Sequence, residues 1–462
     1  MASSNATASL DLPPLPPYTL REQEPLLSWI DDAYLALALP VVGYWVVSLF
    51  FHALDVFDLC PQHRLHTPAE VLARNHVSRA DVLRDVLFQQ VLQTLTGLLL
   101  ALADGPAMVG REEYDVAVWG RRLRVAQSAL PALLGLVGLD ATGLGLKLAK
   151  AGWPQLGGAL AGGKYPWAAH PIVVEGVRSV APGFARWELQ AARAIYWGLI
   201  PSIQMAVAVC ILDTWQYFLH RAMHLNKYLY VTFHSRHHRL YVPYAYGALY
   251  NHPFEGFLLD TAGTGIAYLL TGMTVRQAMI FFTLSSVKTV DDHCGYALPW
   301  DPLQRLWPNN AAFHDIHHQS WGIKSNFSQP FFTFWDRLLG TIWTGDEADK
   351  LARYERSRRA ADRKLSHGAE GHKRPDGLLQ PSDSELSDRS GTASPDPIAA
   401  AERLDDPQPL RRSPRKKAQP ATAASSSSTG QQGSGSLKNL RGRVNGSVHG
   451  RGGGVLGVES NH

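Results

Sequence analysis

Cysteine is scarce in this chain: its 462 residues include 3 cysteines, Cys60, Cys210 and Cys294, which lie far apart. Their spacing excludes a disulfide scaffold and any zinc site built on a Cys-x-x-Cys pair, and it favours a reducing compartment. Charged side chains are scarce too, at 18% of residues, against roughly 25% in ordinary soluble domains. So few charges leave room for long apolar segments.

Several segments carry little or no charge over the length of a membrane span, which is about 20 apolar residues. Three of them contain no Asp, Glu, Lys or Arg: residues 33–54, 87–103 and 194–212. Residues 261–287 contain only Arg276 and predict a helical hairpin that turns near Gly272. Residues 129–146 are a weaker candidate. Together these segments predict an all-α multi-pass membrane protein built from helical hairpins, rather than a soluble core of long buried helices.

The composition changes along the chain and predicts four regions. Residues 1–30 are expected to form a disordered lead-in, residues 31–193 a membrane-anchoring region, residues 194–349 a catalytic domain and residues 350–462 a disordered basic tail. The tail has 20 Lys and Arg against 12 Asp and Glu, and Tyr354 is its one aromatic residue. Such a segment buries too little apolar surface to offset the entropy lost on ordering. We expect it to solubilise the chain, and we expect no nucleic-acid partner.

Histidine stands out, with 19 copies, and the clustered ones lie outside the apolar segments. His220 and His224 are four residues apart, so on a helix they share one face at a spacing that can bind one metal ion. Asp213 and Tyr217 extend this face upstream. We expect them to hydrogen-bond a ligand imidazole and hold it in one tautomer.

Two further histidine boxes have the pattern His-x-x-His-His: His234, His237 and His238, and then His314, His317 and His318. In each box the first and fourth residues are predicted to share a helix face while the fifth lies one step around, so that one box serves two neighbouring metal ions. His252 and His293 lie in polar patches beside apolar segments and are the remaining candidate ligands. The other histidines, His66 among them, are interpreted as surface or hydrogen-bonded core residues.

The number of histidines implies two metal ions, because eight or more imidazoles exceed what one ion can use. Imidazole suits zinc, copper, iron and nickel alike. Hydrolysis by zinc would need a general base, but Arg221 stands where a His-Glu-x-x-His motif has its glutamate. A redox metal that activates dioxygen fits better, and a site near the membrane surface would be within reach of an acyl chain.

The boxes and the residues around them resemble the fatty acid hydroxylase superfamily, which consists of membrane enzymes with a non-haem di-iron centre. The likeness covers residues 213 to 344. Three runs are similar to the sphinganine C4-hydroxylases of fungi: HRLYVPYAYGALYNHPFE (residues 238–255), DDHCGY (291–296) and AAFHDIHHQSWG (311–322). Relatives with a longer motif carry a second histidine four residues after the position of His293, where this chain has Ala297.

The resemblance implies two Fe2+ ions and dioxygen as cofactors. It implies hydroxylation at C4 of a long-chain sphingoid base or ceramide, to give phytosphingosine, at the endoplasmic reticulum membrane. A histidine-rich helical cap would face the cytosol, the side that the basic tail also favours. Electrons from NAD(P)H are expected through a separate cytochrome b5 and its reductase. The chain itself lacks a Gly-x-Gly-x-x-Gly motif at a strand-to-helix turn and a His-Pro-Gly-Gly haem signature.

Some alternatives stay open at this point. The same metal chemistry serves sibling di-iron lipid oxidases, such as sterol C4-methyl oxidases and desaturases. Outside the enzymes, the histidines could belong to a membrane metal transporter, although transport ligands lie inside the spans near the bilayer midplane. Four tyrosines between the second box and His252 either line a substrate path or form an interfacial aromatic belt: Tyr241, Tyr244, Tyr246 and Tyr250.

Overall fold

A computed structural model of the chain describes residues 12–174 and 177–371. Helices dominate these residues, which confirms the prediction of a mostly helical protein. Two small antiparallel sheets, absent from the prediction, accompany the helices. In them, β1 (Arg21–Glu22) pairs with β2 (Met108–Val109), and β3 (His170–Val174) pairs with β4 (Val177–Ala181).

The helices fall into two sets along the chain. Those before the first histidine box are α1 (Asp32–Val56), α2 (Pro68–Arg74), α3 (Arg79–Ala103), α4 (Glu112–Ser128), α5 (Leu130–Leu136), α6 (Ala141–Lys150), α7 (Pro154–Leu160) and α8 (Arg186–Ala194). Those that follow are α9 (Ile200–Leu225), α10 (Lys227–Thr232), α11 (Pro253–Gly256), α12 (Gly263–Thr271), α13 (Val275–Asp292), α14 (Pro302–Leu306), α15 (Ala311–His318), α16 (Phe334–Leu339) and α17 (Glu347–Gly371). π-Helical turns join α8 to α9 and α11 to α12.

Within the described residues, three helices are long and apolar enough to cross a membrane: α1, α3 and the 40-residue helix Arg186–Leu225 that contains α8 and α9. α1 and α3 have 25 residues each, or about 38 Å of helix, against a hydrocarbon core of about 30 Å. At most 22% of each apolar window is buried inside the protein. Most of their apolar side chains therefore face outward, as contact with lipid requires.

The hairpin predicted within residues 261–287 is present. α12 ends at Gly272, whose φ of +59° is the left-handed conformation that favours glycine, and the Thr274 hydroxyl caps the start of α13. The weaker candidate, residues 129–146, is not a straight span. It is divided between α5 and α6, with a bend of 112° at the break, because Asp140 starts a new helix by capping α6.

Contacts between the helices define two ends of the bundle. At the end that we call the histidine end, Asp55 in the last turn of α1 accepts a 2.9 Å hydrogen bond from Tyr296, just after α13. Arg236 of the second box forms an ion pair with Asp85, early in α3. The end of α1, the start of α3 and the end of α13 therefore lie on the same side as the histidine boxes.

The opposite end, which we call the distal end, joins the starts of α1 and α13 through a 2.7 Å ion pair between Asp32 and Arg276. The α12–α13 turn lies here too, because the Thr271 carbonyl accepts a 3.0 Å hydrogen bond from Gln204 of α9. α3 ends at this side, and the apolar part of α9 begins here. Residues 105–185 therefore start and finish at the distal end, and any membrane crossings within them come in pairs.

The N-terminal lead-in is ordered where the structure describes it, so the prediction of disorder for residues 1–30 is wrong for residues 12–30. The reason is pairing with the body of the protein: β1 pairs with β2, and the Glu24 carbonyl accepts a 2.6 Å hydrogen bond from Arg276. Residues 1–11 lie outside the described part of the chain.

The basic tail also begins with structure, so the prediction of disorder from residue 350 onward is wrong for residues 350–371. α17 contacts α2, the Tyr354 hydroxyl donates a 2.5 Å hydrogen bond to Asp315, and Ala361 is buried. Tyr354 and Ala361 are seven residues apart and so share one face of the helix, which the composition of the tail as a whole does not reveal. Residues 372–462 lie outside the described residues.

Candidate metal centre

Nine histidines meet at the histidine end in two groups, within each of which the candidate ligand atoms lie within 4.8 Å of one another. They come from α9, from the 3-10 helix His234–Arg239, from the residue that ends α13 and from α15. The five-histidine group consists of His220, His224, His234, His238 and His317. The four-histidine group consists of His237, His293, His314 and His318.

Short distances between Nε2 atoms define the five-histidine group. The Nε2 atom of His234 lies 3.1 Å from that of His220 and 2.7 Å from that of His224. It lies 3.0 Å from the Nε2 atom of His238. Two nitrogens bound at about 2.1 Å to one ion, and at right angles to each other, are about 3.0 Å apart. The separations therefore fit a shared metal ion.

The four-histidine group has the same geometry. The Nε2 atom of His314 lies 3.1 Å from that of His293 and 3.2 Å from that of His318. The Nε2 atoms of His237 and His293 are 3.4 Å apart. This group includes His293, so the chain assembles four imidazoles here although Ala297 replaces the additional histidine of longer motifs.

Hydrogen bonds on the other side of the rings leave the Nε2 lone pairs free. Five imidazoles place Nδ1 against a backbone carbonyl, which can only accept, so Nδ1 carries the proton and Nε2 the lone pair. The pairs are His220 with Phe327 (2.8 Å), His237 with Tyr250 (3.2 Å), His293 with Thr289 (2.8 Å), His317 with Ser325 (2.8 Å) and His318 with Leu240 (2.9 Å). Converging lone pairs repel one another unless a cation lies between them, so the residues present fit two metal ions.

Burial keeps the imidazoles in the neutral form that binds metals. Loss of hydration lowers the pKa of His234 to about 3, and burial also lowers the pKa of His237 to about 4 and that of His293 to about 3. At neutral pH these rings therefore carry no charge and can offer a nitrogen lone pair to a cation.

Glu255 is a residue of the site that the sequence analysis missed. Its Oε1 atom makes a short hydrogen bond with Nδ1 of His234, in the place that carbonyls take for other rings. Its Oε2 atom is buried without a hydrogen-bond partner in the described part of the chain. Burial raises the pKa of Glu255 to about 7. The sequence feature that could have identified Glu255 is its position, three residues after His252 within a run that resembles a known family.

Each His-x-x-His-His box contributes histidines to both groups, and the division within a box differs from the prediction. The first and fifth residues of the second box face one group and the fourth faces the other, and in the third box the first and fifth residues again lie together. The prediction had placed the first and fourth together. In α15 the observed division follows from helix geometry. Residues four apart, such as His314 and His318, differ by about 40° around the axis, while residues three apart differ by about 60°.

His252 joins neither group, which corrects the prediction that it is a ligand. It precedes Pro253, which starts α11, so it occupies the capping position of that helix. Its Nδ1 atom accepts a 3.2 Å hydrogen bond from the Phe254 N–H, and its ring contacts Phe233, with the centroids 5.1 Å apart. These contacts hold its ring outside both histidine groups.

Asp213 and Tyr217 do not hold a ligand imidazole, which corrects a second prediction. Asp213 accepts hydrogen bonds from the backbone N–H groups of Phe331 (3.1 Å) and Phe332 (2.7 Å). The Tyr217 hydroxyl hydrogen-bonds the side chain of Thr341 at 2.9 Å. Both residues therefore tie α9 to the segment after the third box, which also supplies a carbonyl to the first box.

Asp315, inside the third box, is held by residues that are distant in sequence. Its carboxylate lies 2.9 Å from Nε2 of His66 and accepts the hydrogen bond from Tyr354 of α17. Glu70 of α2 lies 3.1 Å from the other ring nitrogen of His66. Burial lowers the pKa of His66, but Asp315 and Glu70 outweigh it and raise that pKa to about 9. The network joins α2 and α17 to the helix that carries the third box.

A cavity of about 480 Å³ lies between the spans and extends toward the histidine groups. Most of its lining is apolar, and it reaches from the start of α1 at the distal end to Gln216 and Thr289. Gln216 lies one helical turn before His220, and the Thr289 carbonyl accepts the hydrogen bond from His293. Along α13 the wall runs from Val275 to Thr289, about 21 Å of helix. The cavity therefore suits a long alkyl chain, and its wall approaches the two groups through Gln216 and Thr289.

The four tyrosines between the second box and His252 fit neither proposed role. Tyr244 and Tyr250 are buried in a core cluster with residues of α1, and Tyr246 packs against the same cluster. Tyr241 is buried as well. They contribute to the core of the histidine end.

Comparison with known proteins places this geometry in a family. The model of the fatty acid hydroxylase family matches residues 205–341, which include all nine clustered histidines. The sphingolipid C4-hydroxylase of Saccharomyces cerevisiae is 43% identical over 335 residues, which cover 72% of this chain and 78% of the yeast protein. Sphinganine C4-monooxygenase 2 of Arabidopsis thaliana is 36% identical over 312 residues, 68% of this chain and 88% of its own.

A third relative carries a different name. The very-long-chain aldehyde decarbonylase GL1-9 of Oryza sativa subsp. indica is 58% identical over 317 residues, which cover 69% of this chain and 91% of the rice protein. No solved structure matches the chain. Since the family model covers every clustered histidine and the similarity to full-length relatives extends over most of the chain, this protein belongs to the fatty acid hydroxylase family.

Proposed function

We propose that this chain is a membrane monooxygenase that uses dioxygen to hydroxylate C4 of a long-chain base, dihydrosphingosine or dihydroceramide, in the synthesis of phytosphingosine. One observation carries the proposal: two groups of neutral, converging imidazoles lie at one end of the bundle, and the wall of a long, mostly apolar cavity reaches residues next to them, Gln216 and Thr289. The names of the yeast and Arabidopsis relatives, which specify hydroxylation or monooxygenation at C4 of this lipid class, support it.

The nine histidines would hold two Fe2+ ions, one in each group. When bound, such an iron pair activates dioxygen and supplies the oxidant for an unactivated C–H bond. The chain orients six of the nine rings, because five carbonyl groups and Glu255 fix their tautomers from the Nδ1 side, and burial excludes bulk water from the nitrogens. The cavity would hold the alkyl chain in register, so that one methylene among many similar ones is oxidised.

The reaction consumes one dioxygen, two electrons and two protons for each CH2 group, and it yields one CHOH group and one water. We propose that NAD(P)H supplies the electrons through cytochrome b5 and its reductase at the endoplasmic reticulum, with the histidine end in the cytosol. The position of α17 supports this orientation. That helix is rich in Arg and Lys and contacts the third box, and positive charge favours the cytosolic side.

The rice relative supports a second candidate function, removal of the carbonyl group from a very-long-chain aldehyde. The same metal groups and cavity would accommodate such a substrate, because it too is a long alkyl chain with one polar end. A metal transporter is disfavoured, because the histidines lie together at one end of the bundle instead of at intervals along it. The sibling reactions on sterols use the same histidine groups, but the long cavity favours an alkyl chain.

Lipid mass spectrometry distinguishes these activities. The full chain would be expressed in cells that make no C4-hydroxylated bases, beside a His314→Ala variant with matched protein level. We expect trihydroxy long-chain bases in cells with the wild-type chain and none in cells with the variant. Alkanes one carbon shorter than the available aldehydes would instead establish the second candidate, and 4-methylsterol oxidation products would establish a sterol oxidase.

A further inference from the structure

The cavity between the spans has polar groups on its wall near the histidine end. Asp260 lines the cavity, and its carboxylate accepts a 3.3 Å hydrogen bond from the Gln216 amide. Thr261 and Ser285 also line the cavity, and their hydroxyl oxygens are buried without a hydrogen-bond partner in the part of the chain that the structure describes. An alkyl chain needs none of these groups, so they point to a polar part of the ligand.

The Asp260 carboxylate lacks a positive partner. No ion pair between Asp260 and a Lys or Arg occurs among residues 12–174 and 177–371, whereas the carboxylate of Glu188 pairs with Arg124. Asp260 is partly buried, and a carboxylate that loses hydration is destabilised unless a cation or several hydrogen bonds compensate. Here one amide compensates, and the cavity leaves space beside it. The chemistry therefore favours a ligand that brings its own positive charge.

The polar groups of the cavity wall lie close to the histidine groups along the helices that carry them. Gln216, the partner of Asp260, lies one helical turn before His220 of the five-histidine group. Ser285 lies one turn before Thr289, whose carbonyl orients His293 of the four-histidine group. A ligand group bound by Asp260 would therefore lie close to both histidine groups, with the apolar remainder of the cavity extending away toward the distal end.

We propose that Asp260 binds the ammonium group of an unacylated long-chain base, with Thr261 and Ser285 beside its hydroxyl groups. This inference rests on the proposed function and makes Asp260 the residue that determines specificity for the free base. A primary amine is protonated at neutral pH and pairs with a carboxylate, whereas an N-acylated base presents a neutral amide. Because C4 lies two carbons from the amine-bearing carbon, anchoring the amine also restricts which methylene reaches the histidines.

Lipid binding to the purified full-length protein, measured by native mass spectrometry, tests this assignment without requiring turnover. The probes are dihydrosphingosine and its N-acetyl derivative, which differ in the charge of the nitrogen. We expect the wild-type protein to prefer the free base by about tenfold, Asp260→Asn to lose that preference and Asp260→Glu to retain it. Asp104→Asn is the matched control, because it removes a carboxylate from the distal end of the same cavity and should retain the preference.

Equal binding of the two probes by the wild-type protein, or an undiminished preference in Asp260→Asn, would overturn the assignment. If Asp260→Asn does not fold, Ser285→Ala and Thr261→Val take its place. Each should weaken binding of the free base several-fold, and unchanged binding in both would overturn the assignment in the same way. The proposed function fails separately: cells without trihydroxy bases would refute it even if the binding preference depends on Asp260.

Discussion

Two buried polar clusters, one at each end of the bundle, differ in how their polar atoms are satisfied. At the distal end, Arg124 of α4 pairs with Glu188 of α8 at 2.6 Å. Gln127 donates to the same carboxylate at 2.8 Å and accepts a 2.5 Å hydrogen bond from Tyr165. Each charge in this cluster has an opposite charge, and each of these four side chains has a partner within the protein itself.

The histidine end shows the opposite pattern. Six of its nine imidazoles are hydrogen-bonded through Nδ1, while the Nε2 atoms within each group face one another. The Nε2 atom of His317 has no hydrogen-bond partner within the described residues. Native proteins rarely leave buried polar atoms unsatisfied without a functional reason. The distal cluster therefore stabilises the fold, whereas the histidine cluster is completed by something that the chain binds.

Removal of one imidazole from either group should have the largest effect. His220→Ala and His314→Ala each delete a nitrogen from a different group, so we expect hydroxylation to fall by more than the ~100-fold seen when only a partner of a ligand is lost. The amount of folded protein in the membrane should stay near the wild-type level, because the spans bury their own surface. His252→Ala is the matched control, and product analysis should show near wild-type activity for it.

Arg124→Ala should produce the reverse result at the distal end. It leaves Glu188 buried without its cation, which typically costs about 3–5 kcal/mol of stability. We therefore expect less folded protein and a lower melting temperature, with unchanged turnover per folded molecule. If turnover per folded molecule fell as far as in His314→Ala, the separation of the two clusters into a structural and a catalytic one would be wrong.

Two truncations should separate the ordered start of the tail from the rest. A chain that ends after Gly371 keeps α17 and should retain full activity. A chain that ends after residue 346 loses the Tyr354 hydrogen bond to Asp315 and the contacts of α17 with α2. Since loss of groups that support metal ligands typically costs about 10–100-fold, we expect that drop in activity for the shorter chain. Equal activity of the two chains would contradict a supporting role for α17.

The His66 network should make stability depend on pH. The pKa of His66 is raised to about 9 in the folded protein, against about 6.5 in an unfolded chain. Its contribution, on the order of 3 kcal/mol by the size of that shift, is therefore present below pH 6.5 and lost as the pH rises toward 9. Melting temperatures between pH 6 and 9.5 should fall more steeply for the wild type than for His66→Gln. Parallel curves would show that the charge of His66 does not contribute to stability.

Sequence patterns predicted the histidine clusters well, because residue spacing on short helices determines which rings can share an ion. They also identified His293 as a member of the site, but they wrongly added His252. The errors come from contacts between distant segments. Asp213 shares a helix face with His220, but a loop more than a hundred residues away occupies its carboxylate. Glu255 and Tyr354 were missed for the same reason, since their partners become neighbours only when the chain folds.

The metal content of the purified full-length protein decides whether the two histidine groups are metal sites. After anaerobic preparation, elemental analysis should give close to two transition-metal ions per chain for the wild type. His314→Ala, which damages only the four-histidine group, should give about one, and His252→Ala should match the wild type. A wild-type protein with no ion or one ion per chain, or a His314→Ala protein that still holds two, would contradict the account.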